Sequence, residues 1–146
     1  MKTRRDPLDA LFSTLIRERS NWTCDHCGKY FPEGQRQSLH CSHLWSRRKR
    51  STRWHPLNSF SHCFSCHQKL GENPVQFHEW ALERMGLETF EAVKSLANRT
   101  LKISKRDKED IKAFYKKEIK RLQDLRARGI TGLIQVNTPE ILARVA

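Results

Sequence analysis

Apolar residues recur at three- and four-residue intervals early in the chain, at Leu8, Leu11, Phe12, Leu15 and Ile16. That spacing keeps them on one side of an α-helix. Asp6 and Pro7 suit its N-cap and first turn, so a helix is predicted from there to about Ser20. The stretch Cys24–Gly34 carries Gly28, Pro32 and Gly34 and reads as turns. SLHCSHLW, residues 38–45, reads as a short strand. An arginine-rich loop, SRRKRSTRWHP, then leads to a second apolar stretch, Leu57–Phe64. Beyond it the period becomes helical. Pro74–Met85 places Val75, Phe77 or His78, Ala81, Leu82 and Met85 on one side, with Gly86 as its C-terminal stop. A shorter helix is predicted over Leu87–Ala97 and a long one over Lys105–Arg128. The long one opens on a capping box, Ser104 with Asp107, and carries the stripe Ile111, Phe114, Tyr115, Ile119, Leu122 and Leu125. Gly129 ends it, and TPEILARVA predicts one or two further turns. There is no internal repeat and no low-complexity tract.

These elements describe an α+β chain in three parts: an N-terminal helical arm (1–21), a compact core (22–73) and a basic helical C-terminal region (74–146). The 146 residues include 28 Lys plus Arg against 16 Asp plus Glu, a formal charge of +12. So basic a chain calls for a polyanionic partner, and nucleic acid fits best. An anionic membrane surface would be met by one basic amphipathic helix, whereas here the cations are spread over several segments. No apolar run approaches the ~20 residues that span a bilayer. The N-terminus lacks the uninterrupted apolar stretch of a secretory signal, so a cytoplasmic location is expected.

All five Cys and all seven His lie between Cys24 and His78. In a reducing compartment such clustering reads as metal binding before disulfides. Cys24-Asp25-His26-Cys27 and Cys63-Phe64-Ser65-Cys66 form two CxxC knuckles, and tetrahedral Zn²⁺ takes four thiolates at one point. We read Cys24, Cys27, Cys63 and Cys66 as a structural zinc site that staples the core. A redox dithiol needs one such pair on a βα unit, which neither occupies. Cys41, left over, reads as a small buried apolar residue. His26 is expected to be exposed, and His55 and His78 to be surface or core residues.

Between the knuckles lie His40-Cys41-Ser42-His43, then Pro56-Leu57-Asn58, and His67 directly after Cys66. A CxxC, a strand His, an Asn after a loop and a CxxCH together resemble the zinc-stapled form of the HNH (ββα-metal) nucleases. More narrowly, CSHLWSRR, TRWHPLN, HCFSCHQKL, FHEWALERMG and DIKAFYKKEIKRL resemble the phage NinG/Rap recombination nucleases, from about Trp22 to Leu125. The resemblance implies a metal-dependent DNA endonuclease, acting in the bacterial host on branched intermediates such as Holliday junctions or D-loops and taking no small-molecule substrate. It implies His43 as general base, His67 as ligand of a catalytic Mg²⁺ or Mn²⁺, and Asn58 as a brace for the loop. A neutral imidazole titrating near pH 6.5 suits proton abstraction from water.

One position departs from that pattern. Many HNH nucleases have Asp or His immediately before the base, as first metal ligand, and here Ser42 stands there. His40 is a candidate second ligand, although strand alternation sets it opposite His43 unless the strand bulges. His62 is another. The loop cations Arg47, Arg48, Lys49, Arg50 and Arg53 follow the base closely and are candidate DNA contacts, Arg47 foremost. Trp45 and Trp54 flank the loop and either stack on bases or pack. The stripe of the long helix must be buried on the core or in a homodimer. Two rival readings remain: a non-catalytic zinc module that binds DNA, and an HNH nuclease for linear duplex.

Overall fold

The computed structural model describes residues 4–32 and 34–143, so the outermost residues of the predicted arm and of the last turns lie outside the described residues. Among the described residues, seven α-helices and one two-stranded sheet follow in order: α1 (Pro7–Arg19), β1 (Leu39–His43), α2 (Arg50–Arg53), a 3₁₀ turn (Pro56–Asn58), β2 (Ser59–Cys63), α3 (Phe64–Glu72), α4 (Pro74–Met85), α5 (Leu87–Ala97), α6 (Lys105–Ala127) and α7 (Glu140–Ala143). The class is α+β, as its sequence pattern predicts.

Local chemistry sets the helix ends. Asp6 caps α1 by accepting from Leu8 N at 2.8 Å. Ser104 and Asp107 bond reciprocally across the first turn of α6. Gly86, at φ +84°, separates α4 from α5 in a conformation that an L side chain resists. One departure lies on α4. Val75 is 72% exposed, because the helix turns Phe77 and Ala81 inward and leaves its first turn at the surface.

β1 and β2 pair antiparallel without a bulge, from Leu39 opposite Cys63 to His43 opposite Ser59. Helix α1 packs on one face of this hairpin and α3 on the other, with α4 against α3. Helix α6 lies along the far side of α1, where Leu8, Phe12, Leu15 and Ile16 meet Ile111, Tyr115, Ile119 and Leu122 in the largest apolar core. Trp54 is wholly buried there, its carbonyl accepting from the Tyr115 hydroxyl. The apolar stripe of α6 is thus covered by its own chain. A second core of Leu44, Phe60, Leu70, Phe77, Ala81 and Phe90 lies behind the hairpin. After α6 an extended strap crosses back over the end of α1, with Ile134 N–H donating to the Arg19 carbonyl at 3.1 Å. It delivers Leu142, fully buried, to the α1–α6 core.

Candidate metal centre and the two faces of the hairpin

Cys24 and Cys27 sit in a tight loop after α1. Asn21 and Trp22 both hold left-handed backbone, at φ 52° and 55°, and Trp22, buried, packs on Cys24, Leu39, Cys63 and Cys66. The loop closes with Gly28 N–H donating to the Cys24 carbonyl, at a φ of +78° that glycine tolerates. Cys63 ends β2 and Cys66 lies in the first turn of α3, so this pair does sit at a strand–helix junction, which the sequence pattern does not show. The convergence of the first pair on it sets it apart from a lone redox dithiol. The four Sγ atoms lie within 4.8 Å of one another, and Cys27 and Cys63 are 3.8 Å apart. With Zn–S bonds of about 2.3 Å, a tetrahedron has edges of roughly 3.8 Å. The four cysteines can hold a zinc ion. Burial works to raise the Cys63 thiol, but hydrogen bonds from the Ser65 hydroxyl and the Cys66 backbone outweigh it and bring it down to about 6. A thiolate is then available to a cation near neutral pH.

Asp25, between the first two cysteines, ties the knuckle to the rest of the fold. Its carboxylate accepts from Ser61 N–H at 2.8 Å, Ser20 Oγ at 2.8 Å and Arg84 Nη2 at 3.2 Å. His26, expected at the surface, is partly buried instead, with Nδ1 3.3 Å from Cys66 Sγ and its ring 5.6 Å from that of Trp80. Neither role has a local signature, because apart from Ser20 their partners lie on β2, α3 and α4.

The face of the hairpin toward α3 carries His40, Ser42 and His62. The Ser42 hydroxyl is buried between two imidazoles, 2.8 Å from His62 Nδ1 and 2.6 Å from His67 Nδ1. A hydroxyl donates only one hydrogen bond, so at least one ring must present Nδ1–H to it. With that proton on His67, its Nε2 lone pair is left for a ligand. His40 stacks on His67, their centroids 5.2 Å apart and planes 10° from parallel. His62 is fully buried among Phe60, Phe77 and Trp80, and its Nε2 has no hydrogen-bond partner among the described residues. Strand alternation thus groups His40 with His67 and not with His43.

His43 looks the other way. Its ring lies 6.0 Å from Phe12 of α1, and Nε2 is 2.9 Å from the Arg53 carbonyl. That bond places the proton on Nε2 and leaves Nδ1 as the basic nitrogen. Burial pushes its pKa down to about 4, outweighing the Arg53 carbonyl, so the ring is neutral at pH 7 but a weaker base than the imidazole titrating near 6.5 expected from the sequence. The Arg53 side chain is engaged by Asp9, through Nε at 3.0 Å and Nη2 at 2.5 Å, and Asp9 also accepts from Trp54 Nε1 at 2.9 Å. Arg47 and Arg48 are exposed and, with Ser46 and Arg53, line a pocket of about 430 Å³. Arg50 lies over the Trp54 ring at 5.4 Å, and Lys49 is partly buried at the start of α2. Asn58 is fully buried. It donates to the Trp45 and Thr52 carbonyls and accepts from Trp45 N–H, fastening the loop between the strands. Trp45 itself packs on His78 and Phe90.

A family profile described as the bacteriophage lambda NinG protein matches residues 4–125. The chain belongs to the NinG family. The match spans α1, the hairpin, both knuckles and nearly all of α6, so the NinG region includes every candidate site residue named above. Neither the curated proteins nor the solved structures contain a match. Among the described residues of this NinG chain, no helix is long and apolar enough to cross a membrane. Asp9 of α1 is the partner of the arginine loop that sequence reasoning missed. It sits on the apolar side of α1, where an acid at a core position was the signal available.

Proposed function

We propose that this NinG-family protein is a metal-dependent DNA endonuclease of HNH type that cuts branched recombination intermediates within the bacterial host. The observation that carries the reading is His43, neutral, oriented by the Arg53 carbonyl and adjacent to the arginine pocket. Ser42 and His43 are consecutive strand residues, so one faces His67 and the other faces the arginine loop. A backbone phosphate laid across the end of β1 would meet both sides.

In this reading Arg47 and Arg48 bind the phosphate through their planar forks. His43 Nδ1 takes a proton from the attacking water, a bond forms from the water oxygen to phosphorus, and the bond from phosphorus to the 3′-oxygen breaks. Asn58 acts by keeping the loop and its arginines in place. His67, held at Nδ1 by Ser42, and His40 stacked on it would hold the divalent ion. The ion supplies charge neutralisation at the phosphate and the leaving oxygen. Two imidazoles without a carboxylate make a sparse donor set, and Mg²⁺ there would keep most of its waters. The four-cysteine zinc is structural and takes no part in the reaction.

Cleavage of a labelled four-way junction, with and without added Mg²⁺, tests the proposal against a linear duplex made of the same arms. We expect metal-dependent cuts, concentrated at the junction, that fall by a factor of about 10²–10⁴ in His43→Ala. Equal cutting by the variant would remove His43 from the role of base. Ser42, at a position where a stronger ligand would serve an enzyme better, favours a second reading: a zinc module that binds DNA without cutting it. Tight junction binding with no cuts in Mg²⁺ or Mn²⁺ would establish that reading instead.

A further inference from the structure

Phe64, the residue after Cys63, is 60% exposed although large and apolar. A lone surface phenylalanine is ordinary. This one is not alone. Its ring lies 5.9 Å from that of His40 at an interplanar angle of 52°, and His40 stacks on His67 at 5.2 Å. Three rings therefore run from the surface of the knuckle to the histidines on the α3 face. The backbone beneath Phe64 is fixed on both sides: its N–H donates to the Ser38 carbonyl at 3.2 Å, and Cys63 and Cys66 flank it in the four-thiol cluster. Gln68 and Lys69 are exposed about one helical turn further along α3, able to offer an amide to a base edge and an ammonium to a phosphate.

We infer that Phe64 is the outer face of a stacking platform that takes an unpaired nucleobase, as found at a branch point or in a single strand. Every base has a π-face, so such a platform is tolerant of sequence, but a base buried in a continuous duplex cannot reach it. The inference rests on the reading of the protein as a DNA-binding one. It adds to that reading a physical source of preference for branched over linear DNA. A ring mounted on a rigid knuckle loses little freedom on binding, which favours its use as a contact.

The test is binding of the full chain to a junction carrying 2-aminopurine at the branch, without added divalent metal so that nothing is cut. A fully paired duplex carrying the same base serves as control. Wild-type protein should quench the junction probe, which is the brighter because it is less stacked. The duplex probe, already dim from stacking in the helix, should stay unchanged. Phe64→Ala should abolish the quench and weaken junction binding about tenfold, the loss of one base–aromatic stack, with duplex affinity and zinc content unchanged. Phe64→Trp should restore both signals. Equal weakening on junction and duplex, or a quench that survives Phe64→Ala, would overturn the platform. A quench with no cutting once Mg²⁺ is added would leave the platform standing and overturn only the nuclease.

Discussion

The two ends of the molecule hold themselves together by different means. Where α1 meets α6, eleven buried residues form an apolar core containing Trp54 and Tyr115. Around the knuckles the buried cluster has only five members, Trp22, Cys24, Leu39, Cys63 and Cys66, three of which are cysteines. The first region can be stable through burial alone. The second has little apolar material against the sulfurs themselves, and we propose that the knuckles rely on a cation at the centre the four sulfurs share and on the Asp25 carboxylate that lashes the loop to β2. In this proposal order at the knuckles is conditional on a cation, whereas the α1–α6 half is held by burial.

The sharpest way to break this comparison is to remove one sulfur. Cys63→Ser should unfold the hairpin and both knuckles and abolish stoichiometric zinc, with a loss on the order of 10 kcal/mol of metal-coupled folding energy. Residual helicity from α1 and α6 would remain in far-ultraviolet dichroism. A variant with unchanged dichroism and thermal midpoint would show that the four cysteines do not organise the core. On the other side, Leu122→Ala empties part of the α1–α6 core, where Leu122 is fully buried. It should cost about 3 kcal/mol in denaturant unfolding while zinc content stays at one per chain. Loss of zinc together with stability would mean that the two regions are not independent.

A more gradual effect should come from acid. Burial pushes His43 and His55 down to about 4. The unfolded chain takes a proton on each near pH 6.5, while the folded chain refuses it until about pH 4. Stability is therefore level above about 6.5 and falls as pH drops through that window, by roughly 3 kcal/mol for each of the two. His62, pushed down to about 3, adds to the fall and extends it. Asp6 and Asp9, whose pKa values are lowered from an ordinary 3.8, contribute only beneath it. Thermal midpoints measured from pH 7 to 4 should show the fall, and it should be shallower in His55→Asn. That variant can retain the acceptor that His55 Nδ1 offers to Leu57 N–H. An unchanged slope would place the titration elsewhere.

Much of the helical half is legible in the sequence because its signals are local. The Ser104–Asp107 capping box, Pro7, Pro74 and Gly86 each fix a helix end within a residue or two. The CxxC spacing likewise brings Cys24, Cys27, Cys63 and Cys66 together, since two knuckles offer few other arrangements. Strand alternation already separates His40 from His43. The polar pairings across the hairpin have no such signal. Nothing within a few residues of Arg53 indicates that Asp9, 44 positions earlier, takes its guanidinium. Nor does Ser42 reveal that it will stand between His62 and His67. Exposure misleads in the same way: Val75 fits the apolar stripe of α4 by spacing, yet the helix is short of partners at its first turn.

The pairing of α1 with α6 also orders events in time. Lys108 bonds to the carboxylate of Asp6 across 102 positions, a stretch that takes roughly 5–20 s to synthesise at bacterial and eukaryotic rates. Late in that interval the apolar side of α1 still has no α6 to cover it, while both cysteine pairs and the hairpin, which all precede α6 in the chain, have been synthesised. The knuckle can therefore close first and offer α1 the back of the hairpin as an interim surface. What is thermodynamically the weaker half of the molecule is, in the growing chain, the earlier template.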